Sequence, residues 1–336
     1  MNVNFTLMNM PRDPENTKPS VFAASFLYFV ALSGLYILPL ALGFLQLIFG
    51  NFLLPEINSV MQVMYYLLFI VIPLLIYAKR HPSACADVMR INPLSVKTAL
   101  LCTVAALIAV YLSQLLTVLW TILIESTIGT PPDTGFQIPT TAMGLGVSIV
   151  TIAILPGVCE ELLFRGAILG AWEIRGSKRA IVISSLWFML MHGTIAGMPV
   201  QFLSGLMLGI IAVSTDSIFG GMVFHTVYNA ATLILAYVLN QQTNTPVESA
   251  QSTLDAIGGI TGVFELILPA CLFTALLVLV IKAIDADRIK RNGAQFGYPA
   301  AVKHDLGFAE YLVMGASFSI VFLYYLEDLL LIMGWI

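Results

Sequence analysis

The chain has 336 residues, 59% of them hydrophobic and only 10% charged, with a formal net charge of −4. Its mean hydropathy of +0.92 excludes a soluble globular domain, in which roughly 45–50% of residues are apolar. The small net charge says nothing about nucleic acid, but no basic patch resembles a DNA or RNA surface, and the hydropathy makes a lipid bilayer the expected environment.

Residues 1–20 are polar, with prolines at 11, 14 and 19. They lack the charged, apolar, then small-residue order of a signal peptide, so Met1 is expected to begin the mature chain and the segment to form a cytoplasmic tail. Apolar segments follow near 21–49, 58–78, 98–124, 141–172, 180–195, 199–214, 217–239, 262–284 and 309–331. Most are near the ~20 residues that cross a hydrocarbon core of ~30 Å. The period-2 alternation of a membrane β-barrel is missing, so the spans are helices. The expected fold is all-α: a polytopic transmembrane bundle of about 8–9 spans with a cytoplasmic N-terminus. The first, third and fourth segments are long enough to tilt or to continue along the interface. The ninth ends in "LEDLLLIMGWI", where Glu327 and Asp328 reach the far interface, and an interfacial helix is its alternative reading.

Basic residues orient this bundle. Lys and Arg occur at 12, 18, 79, 80, 90, 97, 165, 175, 178, 179, 282, 288, 290, 291 and 303. Apart from Arg165, which lies within a span, all fall in or beside the tail, 79–97, 173–179, 214–217 and 285–308. The opposite loops, 50–57, 125–140, 196–198 and 240–261, contain none. An error of one span would scramble that division. Cys85, Cys102, Cys159 and Cys271 form no CxxC pair, so neither disulfides nor a zinc knot is expected. Cys159 lacks a cationic neighbour and reads as inert packing.

The informative residues are polar ones inside apolar segments. "CEELLFRG" places Glu160, Glu161 and Arg165 in a stretch from 141 to 172 that has no other charge. An acid or base at the centre of a span costs ~2.5–3.5 kcal/mol on insertion scales. Glu161 and Arg165 are spaced i,i+4 and can neutralise each other. Glu160 is rotated by ~100° from its neighbour on a helix and needs its own partner. "FMLMH" contains Phe188 and His192, and "HTVYN" contains His225 and Asn229, each pair on one helical face. A single histidine in a span reads as interhelical glue, but two with a spare glutamate and an asparagine point to a site.

Depth supports convergence. The fourth and fifth segments form a hairpin about Gly176, with Glu160 sixteen residues before it and His192 sixteen after it. At a rise of 1.5 Å per residue, the two come to the same level. His225 lies about eight residues into its segment, entering from the same side. Gly166 with Gly170, and Gly205 with Gly209, have the GxxxG spacing that lets helices approach closely. Pro156-Gly157 loosens the helix just before the glutamates. A carboxylate beside an imidazole can take a proton from water and later give one to a leaving amine. A second imidazole and an amide can donate to the oxyanion of a tetrahedral intermediate. His, His and Glu are also a plausible zinc set, although no HExxH occurs in the chain.

These motifs, EExxxR at 160–165, FxxxH at 188–192 and HxxxN at 225–229, occur in the order and spacing of the CPBP family, which the chain resembles over about residues 141–240. The family comprises intramembrane proteases that include the CAAX prenyl endopeptidases and bacteriocin-processing or self-immunity proteins. The resemblance implies that Glu160 activates water with His192 as its partner, that His225 and Asn229 form the oxyanion site, and that Glu161, Arg165 and Phe188 support them. It implies a glutamate mechanism without a cofactor; zinc is the less favoured option, since Asn229 is a poor zinc ligand. The substrate implied is a membrane-associated peptide or protein. The domain reading is then a tail at 1–20, accessory transmembrane helices at 21–125, a catalytic helical core at 141–240, and C-terminal transmembrane or interfacial helices at 262–336. The composition suits an integral, multi-pass protein of a prokaryotic plasma membrane.

Rival chemistries fit less well. A rhomboid-type serine site needs GxSG, but Ser204-Gly205 follows "QFL". A presenilin-type site needs paired intramembrane aspartates, and Asp216 stands alone near a turn. The reading from another class is a non-catalytic scaffold or immunity protein on the same fold. A transporter would show internal repeats with broken helices, and none are evident.

Overall fold

The computed structural model describes residues 20–49, 57–80, 89–132, 138–242, 252–292 and 306–335. The expected tail, apart from Ser20, lies outside them, as do Cys85 and the basic residues at 12, 18 and 303. Among the described residues every regular element is helical. α1 spans Val21–Phe49. α2 runs from Ile57–Tyr65 through a π-helical turn, Tyr66–Val71, into Ile72–Arg80. α3 is Val96–Thr127. α4 is a long composite: Ala142–Ser148, π-helical Ile149–Ile154, Leu155–Glu161, π-helical Leu162–Ile168, Leu169–Trp172 and a final 3₁₀ turn, Glu173–Arg175. Then come α5 (Ser177–Met191), α6 (Met198–Thr215), α7 (Ile218–Gln242), the short α8 (Thr253–Ala256), α9 (Gly259–Asn292) and α10 (Phe308–Ile332).

Eight of these helices are long and apolar enough to cross a membrane. The expected fifth span is the exception: α5 has 15 residues, which at 1.5 Å each covers only about 22 Å. It stops at Met191 rather than near 195, and His192 caps its C-terminal end. Gly193 follows at φ +66°, a left-handed conformation that glycine adopts without strain. The ninth expected segment is a 25-residue helix, α10. It packs on α1, where Tyr36 Oη donates to the Ile320 carbonyl at 3.2 Å and the rings of Tyr36 and Tyr324 lie 4.0 Å apart.

The polarity of the bundle is that of a membrane protein. Large apolar side chains such as Leu47, Leu268 and Phe308 are exposed on the periphery, while Glu160, Glu161, Arg165 and His225 are buried. The loops grouped by their basic residues meet at one end. There Arg90 pairs with Glu173 at 2.6 Å, Asn92 Nδ2 donates to the Asp216 carbonyl at 2.7 Å, and Thr98 Oγ1 donates to Asp287 at 2.7 Å. The loops without Lys or Arg meet at the other end, where Thr253 Oγ1 donates to Glu125 at 2.6 Å and Gln241 Nε2 to the Thr140 carbonyl at 2.9 Å.

Small residues set the helix spacings around the centre. A Cβ on Gly205 would meet the Cα of Ser185 at 2.9 Å, and one on Gly209 would meet the Ile181 side chain at 3.0 Å. The second GxxxG pair is therefore the seam between α5 and α6. Gly166 packs instead against Met89 and Ile218. Gly157 lets α4 close onto α7, where a Cβ would collide with Thr226.

Candidate active site

The site is built on the middle of α4, between its two π-helical segments. Glu160 and Glu161 end the α-helical turn Leu155–Glu161 and point to different sides. Glu161 is fully buried and accepts from Arg165 Nη1 at 2.8 Å. Arg165 also donates through Nη2 to the Gly205 carbonyl at 3.1 Å, and its guanidinium lies 4.7 Å from the centre of the Phe188 ring. The second carboxylate oxygen of Glu161 faces Gly221, where a side chain would displace it. The i,i+4 pair read from the sequence is thus present, and it ties α4 to α5, α6 and α7.

Glu160 has a separate partner, as its rotation required. Tyr66 Oη donates to Glu160 Oε1 at 2.6 Å. This residue was not found from the sequence: it lies 94 positions away, and no spacing rule links the two. The visible signal is the adjacent pair Tyr65-Tyr66 in an otherwise aliphatic segment.

The two histidines are held by different acceptors. His192 Nδ1 lies 2.7 Å from the Phe188 carbonyl. A carbonyl only accepts, so Nδ1 carries the proton and the neutral ring keeps Nε2 as an acceptor. His225 Nδ1 lies 3.0 Å from Glu161 Oε1, the oxygen that Arg165 also contacts, which turns His225 Nε2 toward Glu160 Oε2 at 4.0 Å. Phe188 spaces these rings, 4.7 Å from His192 and 5.9 Å from His225.

Asn229 Nδ2 donates to the Ile152 carbonyl at 3.0 Å. Ile152 lies in the π-helical segment just before Pro156. The bond ties α7 to α4 and uses one of the two amide hydrogens of Asn229.

A cavity of about 540 Å³ opens onto this centre. Glu160 and His192 line it; His225 and Asn229 are not among its walls. The remaining walls are Gly34, Leu35, Leu38, Pro39 and Leu42 of α1; Met61, Gln62, Tyr65 and Tyr66 of α2; Met191 and Gly193 beside His192; and Tyr324 of α10. Most are apolar, and His192 is exposed at the rim. The helices read as accessory thus build most of the cavity.

Among the described residues no three His, Cys, Asp or Glu side chains are gathered where they could hold a metal.

Comparison with known proteins agrees with the motifs. No curated protein and no solved structure matches the chain. Residues 142–231 match the family model described as type II CAAX prenyl endopeptidase Rce1-like. That stretch begins with α4, ends within α7, and contains Glu160, Glu161, Arg165, Phe188, His192, His225 and Asn229, so the chain carries an Rce1-like domain of the CPBP/CAAX protease family at its centre.

Proposed function

We propose that the protein is an intramembrane endopeptidase that hydrolyses a peptide bond of a membrane-associated substrate through water activated by Glu160 and His192. The observation that carries this reading is the cavity whose wall holds both a buried carboxylate and an exposed imidazole. Substrate enters along the apolar walls of α1 and α2. Glu160 takes a proton from water, and the resulting hydroxide adds to the scissile carbonyl carbon. The neutral His192 ring, with Nδ1–H fixed on the Phe188 carbonyl, offers Nε2 as a second acceptor for that water.

His225 and Asn229 are the proposed donors to the oxyanion. For this role His225 carries both ring protons, keeping Nδ1–H on Glu161 and donating from Nε2. Asn229 uses the amide hydrogen that Ile152 leaves free. As the C–N bond breaks, the proton held by Glu160 passes to the leaving amine. Glu161, Arg165 and Phe188 touch no reacting atom; they fix the helix and the rings. The mechanism uses no metal. The N-terminus and the basic end of the bundle face the cytoplasm, and the membrane is a prokaryotic plasma membrane.

The test compares newly formed peptide termini in the membranes of cells carrying the wild type and Glu160→Gln. Termini present only with the wild type identify substrates and support the protease reading. Identical sets of termini would leave the scaffold or immunity reading in its place.

A further inference from the structure

We infer that Tyr66 is the positioning residue of Glu160: its phenol fixes the carboxylate of the proposed base in the cavity wall. The inference rests on the protease reading for its catalytic consequence, but the structural assignment stands on its own observations. Tyr66 comes from α2, outside the segment matched to the family. Its hydroxyl reaches Glu160 Oε1 at 2.6 Å, a length typical of a charge-assisted O–H···O⁻ bond. Both side chains are buried and both line the cavity.

The local backbone explains how the phenol gets there. Tyr66 opens a π-helical turn, in which the Ile72 N–H reaches back to the Leu67 carbonyl. The wider turn brings consecutive side chains closer in angle than on an α-helix, so Tyr65 and Tyr66 both reach one cavity. They then divide the work. Tyr65 Oη contacts the Met191 sulfur at 3.7 Å and its ring lies 5.2 Å from that of Tyr66, buttressing it. Tyr66 alone of the pair is bonded to Glu160.

The bond also selects which oxygen works. With Oε1 occupied by the phenol, Oε2 is the oxygen turned toward His225 Nε2 and left for water. Losing the hydroxyl frees the carboxylate to rotate without removing any group that touches substrate chemistry. The expected effect is a kcat about ten- to a hundredfold lower in Tyr66→Phe with KM near that of the wild type. A purely structural tyrosine would instead change protein yield and melting temperature.

The deciding experiment is infrared difference spectroscopy on the full chain in lipid vesicles, with the Glu160 carboxylate band identified by its loss in Glu160→Gln. In Tyr66→Phe that band shifts, while in Tyr65→Phe it stays where the wild type has it. An unshifted band in Tyr66→Phe overturns the assignment, whatever the activity. This readout does not depend on proteolysis. If Glu160→Gln still cleaves, the protease reading fails, and the band alone decides the role of Tyr66.

Discussion

Two consecutive glutamates on α4 face two different regions of the molecule. On the Glu161 side everything is closed: Arg165 bonds Glu161 and the Gly205 carbonyl, and His225 Nδ1 lies against the same Glu161 oxygen, all at low exposure. All of these residues lie within 142–231, the segment matched to the family. On the Glu160 side the region is open, with one hydrogen bond from Tyr66 and a cavity of about 540 Å³. Most of that cavity's walls come from α1, α2 and α10, outside the matched segment. On the proposed reading, the difference separates a brace from a reactive group. It also separates a core that keeps the chemistry from surrounding helices that shape what can reach it.

The brace can be broken most directly at Arg165. Arg165→Ala removes the cation from the fully buried Glu161 carboxylate and leaves it His225; it is expected to cost about 3 kcal/mol, read as loss of unfolding free energy in detergent or lipid. A variant as stable as the wild type would show that the closed side is not a brace. Gly205→Leu acts on the same side by forcing α6 away from Ser185 and is expected to cost about 1–3 kcal/mol, a cost typical of overpacking. Unfolding measurements check it, and a neutral result would mean that the seam has room.

The open side is sharpened by changes that leave stability alone. Leu38→Trp narrows the cavity from α1 and should raise KM by roughly tenfold for bulky substrates, with an unchanged melting temperature. A fall in kcat alone would remove α1 from substrate binding. The smallest expected effect is that of a chelator. On the proposed glutamate mechanism, cleavage by the purified protein should be the same with and without it. Loss of activity on chelation, restored by zinc, would contradict the metal-free mechanism.

How much of this was legible in the sequence follows the same division. On the closed side the Glu161–Arg165 pair was readable because it obeys helical spacing, i,i+4, while the contacts of Glu161 with His225 and of Arg165 with Gly205 join residues 64 and 40 positions apart and were not. Hairpin counting about Gly176 also placed His192 at the level of Glu160, and both line one cavity. The open side depends on contacts of long sequence separation. That Glu160 needs a partner followed from rotation about the helix, but the partner's identity did not, because Tyr66 reaches it through tertiary packing. The π-helical turns were also hidden, since their residues, such as "YLLFIV", are ordinary apolar helix formers. Pro156 gave a hint of irregularity, yet not that Asn229 would satisfy Ile152. The end of α5 was misjudged because "HGTI" continues the apolar run while Gly193 turns the chain.

The most direct test sets the two neighbours against each other, Glu160→Gln and Glu161→Gln, each purified, reconstituted in vesicles, and assayed for cleavage and for melting temperature. Glu160→Gln should keep the wild-type melting temperature and lose cleavage by about 10²–10⁴-fold, the range typical of a general base, while Glu161→Gln should melt well below the wild type. A Glu160→Gln protein that cleaves at the wild-type rate would contradict the account.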